Sequence, residues 1–177
     1  LNVLDLDAAM NITLDFEQPA CVIIKHTTPC GLAISEERLA EAYRRAFSCD
    51  TRSPFGGIVG FNRPVDAETA QEMAKIFLEA VIAPDFSEEA LEILQKKKNL
   101  RLLTYPTAAD RVEEPKFLSV TGGFLVQDTD DDPINRQGFK VVTSLQPTDE
   151  QWRALEFGAK AVKWVKSNAV VLNNDYM

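Results

Sequence analysis

The stretch Ala20-Cys21-Val22-Ile23-Ile24-Lys25 (ACVIIK) is an almost unbroken apolar run closed by a lysine. A run this short, β-branched at its centre and apolar at both odd and even positions, suits a strand covered on both faces, as strands of α/β sheets are. Outward from it, apolar spacing alternates between such short runs and longer amphipathic ones. Upstream, Asp7 to Phe16 reads as a short helix. Downstream comes a loop containing Pro29 and Gly31. A helix follows, with Ser35 as its N-cap, Glu36 and Glu37 in its first turn, and Leu39, Tyr43, Ala46 and Phe47 at helical spacing. The alternation repeats as strand Ile58 to Phe61, helix Asp66 to Leu78, strand Ala80 to Ala83, helix Ser87 to Lys97 and strand Leu100 to Tyr105, each unit punctuated by Pro or Gly. This order predicts an α/β domain with a mainly parallel sheet and helices on both faces.

Beyond Tyr105 the order changes. Pro106 to Pro115 reads as a polar connection, and Gly123 to Gln127 and Phe139 to Thr143 as strands with no helix between them. The acidic stretch Asp128 to Asp132 reads as a solvated loop, since it lacks the glycine and terminal glutamate of a calcium loop. Thr148 and Gln151 fit a capping box for a helix with Trp152, Leu155, Ala159 and Val162 on one face, and Ser167 to Leu172 reads as a further strand.

A length of 177 residues suits one domain, and 45% hydrophobic residues suffice for a core. Nineteen Lys and Arg against 27 Asp and Glu give a net charge of -8, which repels polyanions; neither nucleic acid nor an anionic membrane surface is expected as a partner. No apolar run approaches the ~18 residues of a membrane span. Cys21, Cys30 and Cys49 show no CxxC spacing and read as small buried hydrophobes in a reducing cytoplasm, without a disulfide. With Leu1 first and Met177 close behind an expected strand, the chain is expected to be cut at both ends.

Candidate chemistry gathers around His26, the only histidine, which follows Lys25 at the carboxyl end of the ACVIIK strand. Ligand-binding groups collect at that end of open α/β sheets. An imidazole exchanges protons near neutral pH, and the neighbouring ammonium favours its neutral form and offers charge to a developing anion; the alternative at this point is a histidine that caps a strand end beside a lysine that snorkels. The segment Ser53-Pro54-Phe55-Gly56-Gly57 before the next strand allows close backbone approach to a ligand, although glycine pairs also make ordinary turns and no P-loop or dinucleotide fingerprint is present. Gly122-Gly123 is equally unspecific. Zinc deaminase chemistry needs His-x-Glu and Pro-Cys-x-x-Cys, and neither occurs, so no metal is expected.

Six blocks occur in order: KHTTPCG from Lys25, SPFGGIVGFNRPVD from Ser53, VIAPDFSEEALEIL from Val81, KKKNLRLL from Lys96, GGFLVQD from Gly122 and VKSNAVVL from Val165. Together they closely resemble the transformylase part of the AICAR transformylase/IMP cyclohydrolase family, over essentially the whole chain. The resemblance implies a three-layer α/β/α, cytidine-deaminase-like fold without zinc. It implies that residues 1–166 form the first of two tandem transformylase subdomains and that 167–177 begin the second. The implied reaction is formyl transfer from the cosubstrate 10-formyltetrahydrofolate to the 5-amino group of aminoimidazole carboxamide ribonucleotide, in purine (IMP) biosynthesis.

By the same resemblance Lys25 and His26 are the catalytic pair. Phe55 and Gly56 match positions that contact the nucleotide base, and Glu79 an acidic position near the ribonucleotide. Asn168 matches the substrate-holding Asn of the K-S-N block, and Asn2 an early substrate-contacting Asn. The resemblance further implies a homodimer, with the main folate-binding segments outside this chain. Thr28 stands where many relatives have Asn, and the upstream arginine segment that relatives use for the phosphate is not in this sequence. A catalytically silent nucleotide-binding or dimerisation module of the same fold is the alternative.

Overall fold

The structure is a computed structural model that describes residues 2–106, 115–130 and 132–177. After helix α1 (Asn2–Leu14), strand β1 (Ala20–Lys25) pairs antiparallel with both β2 (Thr28–Ile34) and β3 (Gly57–Phe61); β4 (Leu78–Ala83) and β5 (Arg101–Thr104) continue parallel to β3. The order is β2-β1-β3-β4-β5, so β1 alone runs against the other four strands. The sheet is therefore mixed but mostly parallel, and the four strands expected at 20–25, 58–61, 80–83 and 100–105 all lie in it.

The segment with Pro29 and Gly31 is not a loop: it is β2. Its pairing with β1 begins at Lys25 and Thr28, and proline is tolerated because β2 is the outermost strand. Ser35, in turn, does not cap a helix. Residues 32–35 are buried at the end of the strand, and the Ser35 hydroxyl accepts the N–H groups of Glu37 (3.4 Å) and Arg38 (3.2 Å), which turns the chain towards α2 (Leu39–Cys49).

Helix ends also differ from expectation. α1 begins at Asn2 and ends at Leu14, not at Phe16, whose side chain is buried beyond the helix. α3 (Ala67–Met73) and α4 (Glu88–Leu94) start at the expected caps, Asp66 and Ser87, whose side chains accept the N–H groups of Thr69 (2.8 Å) and Ala90 (3.1 Å). Both stop early, α3 because Leu78 is already the first residue of β4.

The inward side chains sort into two layers. Cys21, Ile23, Ala33, Val59, Phe61 and Val81 pack with residues of α2, α3 and α4; Ala20, Val22, Ile24, Ile58, Ala80 and Ile82 pack with α1 and with Phe157 and Ala161 of α5 (Asp149–Lys163). Helices thus cover both faces of the sheet. On each face one glycine sets the distance of approach: a Cβ on Gly31 would stand 2.0 Å from the Ala46 carbonyl oxygen of α2, and one on Gly60 would stand 2.6 Å from the Ala9 carbonyl oxygen of α1.

After β5, strands β6 (Lys116–Val120) and β7 (Gly123–Gln127) form a separate two-stranded ribbon, and its apolar residues are exposed. Most of the connection expected at Pro106 to Pro115 (residues 107–114) lies outside the described residues. Phe139 to Thr143 and Ser167 to Leu172 are not strands, because no partner strand lies beside either among the described residues. α5 has the expected box: Gln151 N–H donates to Thr148 Oγ1 (3.2 Å) and Thr148 N–H to Gln151 Oε1 (2.9 Å). Its buried set is Trp152, Phe157, Gly158 and Ala161, whereas Leu155 is exposed. The helix is turned so that Phe157 meets Phe16 at 5.4 Å and, just past its end, the Trp164 indole N–H donates to Asp15 (2.6 Å).

Candidate functional site

Because β1 runs against its neighbours, its carboxyl end lies where β3, β4 and β5 begin. Ile24 stands opposite Ile58, Gly57 opposite Leu78, and Ala80 opposite Arg101. Lys25, His26, Gly56 and Glu79 are thereby collected at one end of the sheet. The expectation that His26 sits at the carboxyl end of a strand holds for β1 only; for the parallel strands this is the amino end.

Only His26 and Thr27 lie between β1 and β2, and both are left-handed, with φ of 53° and 63°. Two consecutive positive φ values are the signature of the hairpin turn usually written Asn-Gly. A histidine and a β-branched threonine there cost roughly 1–2 kcal/mol each. Two hydrogen bonds offset that cost: the Thr27 N–H donates to Asp5 Oδ1 of α1 (2.6 Å), and the Thr27 hydroxyl donates to the His26 carbonyl (2.7 Å). The His26 side chain is exposed and Lys25 is half-buried.

Gly56 answers from the next loop. Its φ of +67° is left-handed, its N–H donates to the Phe77 carbonyl (2.8 Å), and a Cβ placed on it would lie 3.5 Å from Lys25 Nζ. Phe55 is 65% exposed and tilts against Phe77 with ring centroids 5.5 Å apart, leaving an apolar surface beside the lysine suited to a planar ring. The loop is braced from behind by Asp50. The Ser53 hydroxyl, together with the backbone N–H groups of Ser53 and Arg52, donates to that carboxylate and holds its pKa down to about 2.

Glu79 pairs with Arg101 at 3.0 Å across the first residues of β4 and β5. Asn2 is exposed one helical turn before Asp5. Asn168 is exposed after α5, and among the described residues no hydrogen bond or ion pair joins it to Lys25, His26, Phe55, Gly56 or Glu79. Asp5, Phe77 and Arg101 escaped the sequence reading. Arg101 lies inside the KKKNLRLL block; Asp5 and Phe77 carry no local signal, since their partners are far along the chain.

Cys21 is buried and Cys30 half-buried, and burial pushes the Cys30 thiol up to about 11. Cys49 is exposed, against expectation, because α2 ends on it. Among the described residues no three His, Cys, Asp or Glu side chains stand close enough together to hold a metal ion, and no helix is long and apolar enough to cross a membrane. A cavity of about 860 Å³ runs along α5 between Phe139, Trp152, Leu155 and Val170, away from the sheet end just described.

The polar sheet end and the two helix layers define an α/β domain with a lysine closing β1 and a histidine on the adjoining hairpin turn. The sequence model of the AICARFT/IMPCHase bienzyme family matches residues 1–177, and the chain belongs to that family. It is 50% identical over 175 residues, 99% of its length, to the bifunctional purine biosynthesis protein PurH of Staphylococcus carnosus (strain TM300), of which it covers 35%. It is 51% identical over 174 residues to the protein of the same name from Macrococcus caseolyticus (strain JCSC5402), and 48% over 176 residues to that of Anoxybacillus flavithermus (strain DSM 21510 / WK1). The chain thus spans about a third of the length of the curated relatives it matches, 98–99% of its own residues being covered.

Proposed function

We propose that this chain supplies the lysine and histidine of a formyl-transfer site in purine biosynthesis, on a cytidine-deaminase-like fold, within a cytoplasmic homodimer. The single observation that carries this reading is the approach of Lys25 Nζ to the Gly56 turn beside the Phe55–Phe77 pair, with His26 exposed on the adjoining turn. The proposed acceptor is the 5-amino group of aminoimidazole carboxamide ribonucleotide, and the proposed donor is 10-formyltetrahydrofolate.

An aromatic amine conjugated with a carboxamide is a poor nucleophile, so its proton must leave as it attacks. His26 takes that proton as the new C–N bond forms to the formyl carbon. Lys25 stabilises the charge that grows on the formyl oxygen. The bond from the formyl carbon to the folate nitrogen then breaks, and that nitrogen collects a proton. Phe55 and Gly56 would face the imidazole ring, with Glu79, Asn2 and Asn168 on the rest of the ribonucleotide. We assign residues 1–166 to the first transformylase subdomain and 167–177 to the start of the second.

The test uses the reading frame that contains these 177 residues. His26→Ala is expected to lower kcat by roughly 10²- to 10⁴-fold with nucleotide affinity within a few-fold, and Lys25→Ala to act mainly on kcat. Near-normal turnover in both variants would overturn the assignment in favour of a catalytically silent module of the same fold.

A further inference from the structure

We infer that Asp5 is a positioning residue for the proposed lysine and histidine pair: through the Thr27 N–H it fixes the left-handed turn from which the His26 imidazole projects. The inference rests on the proposed function for its consequence on rate, and on geometry for everything else.

The turn has no latitude of its own. Lys25 pairs with Thr28, so two residues reverse the chain, and both must keep positive φ. Neither is the glycine or asparagine that adopts this conformation readily, and threonine is among the residues least suited to it. The peptide between them is therefore held by two hydrogen bonds. One comes from within the turn, the Thr27 hydroxyl on the His26 carbonyl. The other comes from 22 residues away: the Asp5 carboxylate receives the Thr27 N–H at 2.6 Å, and hydrogen bonds to an ionised acceptor are stronger than those between neutral groups.

The helix that brings Asp5 there is itself fixed in height above the sheet, because the Ala9 carbonyl and methyl group rest on Gly60, which has no side chain to hold them off. An acidic residue in the first turn of a helix has an ordinary explanation in the helix dipole. That explanation requires no partner on the turn. A carboxylate that accepts the Thr27 N–H of the left-handed pair is a more specific arrangement, and the two roles separate experimentally.

Asp5→Ala, Asp5→Asn, Thr27→Gly and the double variant Asp5→Ala/Thr27→Gly would be compared. His26 is the only histidine, so its ring gives one unambiguous set of NMR signals in the 177-residue chain. Asp5→Ala is expected to speed exchange of the Thr27 amide about tenfold and to shift and broaden the His26 ring signals. In the reading frame that contains the chain, it should lower kcat with KM for the nucleotide unchanged. Asp5→Asn, which keeps an acceptor oxygen, should lie close to the parent. Thr27→Gly adopts the turn without help, so the double variant should regain both the sharp His26 signals and kcat.

Unchanged Thr27 exchange in Asp5→Ala would overturn the inference. So would a fall in kcat that Thr27→Gly does not restore, since Asp5 would then act elsewhere, on helix docking or on substrate. If Asp5→Ala does not fold, Asp5→Ser, whose side chain is too short to keep the bond to the Thr27 N–H, and its Thr27→Gly double variant decide on the same signals. Should His26→Ala and Lys25→Ala both keep near-normal turnover, the proposed function fails, while Thr27 exchange and the His26 ring signals still decide the role of Asp5.

Discussion

The side-chain carbonyl of Asn62 accepts the backbone N–H of Ala20 at 2.8 Å, across 42 residues of chain, while its amide group donates to the carbonyls of Phe16 and Gln18, also at 2.8 Å. One buried amide thus ties the end of β3 to the segment that leads into β1. The Asn of the F-N-R block is structural on this geometry. Asn62→Ala strands several buried polar groups and is expected to cost about 2–4 kcal/mol. Urea unfolding would measure it, and a loss below ~0.5 kcal/mol would contradict the assignment.

Glycines at three places should respond differently to the same methyl group. Gly31→Ala and Gly60→Ala meet helix backbone and are expected to destabilise by roughly 1–3 kcal/mol or more, since neither α2 nor α1 can move away without opening its layer. Gly123→Ala meets nothing within 4 Å and should be close to neutral. Thermal melts of the three variants provide the comparison, and equal shifts would refute the account of the two contacts.

The Asp50 clamp makes a pH prediction. Its folded pKa, about 2, lies below the ordinary carboxylate value, so its contribution to stability is present above that value and is lost as pH falls through about 2. Ser53→Ala removes the largest cause of the depression. The Asp50 pKa should rise towards roughly 4, and the loop before Phe55 should loosen at correspondingly higher pH. Carboxyl NMR titration of the two proteins tests this, and an unmoved Asp50 would mean that the backbone donors alone are sufficient.

Gly56→Ala places a β-carbon on a residue with positive φ and 3.5 Å from Lys25 Nζ. Strain of about 1 kcal/mol should appear in the melt. In the turnover assay the loss should exceed what the stability change explains, because the new methyl group takes the space beside the ammonium where the ring of the nucleotide is proposed to lie. Parent-like turnover would separate the Gly56 turn from Lys25 function.

Metal dependence is checked directly. The spacing of His26 and the cysteines carries the expectation that turnover needs no metal. Dialysis against a strong chelator should leave kcat unchanged, and a loss restored by zinc would reverse it.

β1, β3 and β4 were legible because ACVIIK and its counterparts are apolar on both faces, a pattern with few other uses. β2 was not legible: Pro29 and Gly31 read locally as a loop, yet Pro29 is tolerated at an edge and Gly31 is required by the backbone of α2. Ser35 misled for a similar reason, a good capping residue serving a turn at the end of a strand. In the candidate site, Lys25, His26 and Gly56 stood out by type and order. Asp5 could not, since a carboxylate in the first turn of a helix says nothing of a partner 22 residues on.

The contact between Ala9 and Gly60 works as a ruler. The Ala9 carbonyl and methyl group meet a strand position that carries no side chain, so α1 lies close to the least height above the sheet that the packing allows. Asp5 lies one turn further along the same rigid rod, and its reach to Thr27 inherits that height. A bulkier residue at position 60 would lift the rod and draw the carboxylate away from the turn, so a change in the middle of the sheet would be felt at His26 without touching it. Positions 60, 9 and 5 therefore form one mechanical unit, whose members are free to vary only together.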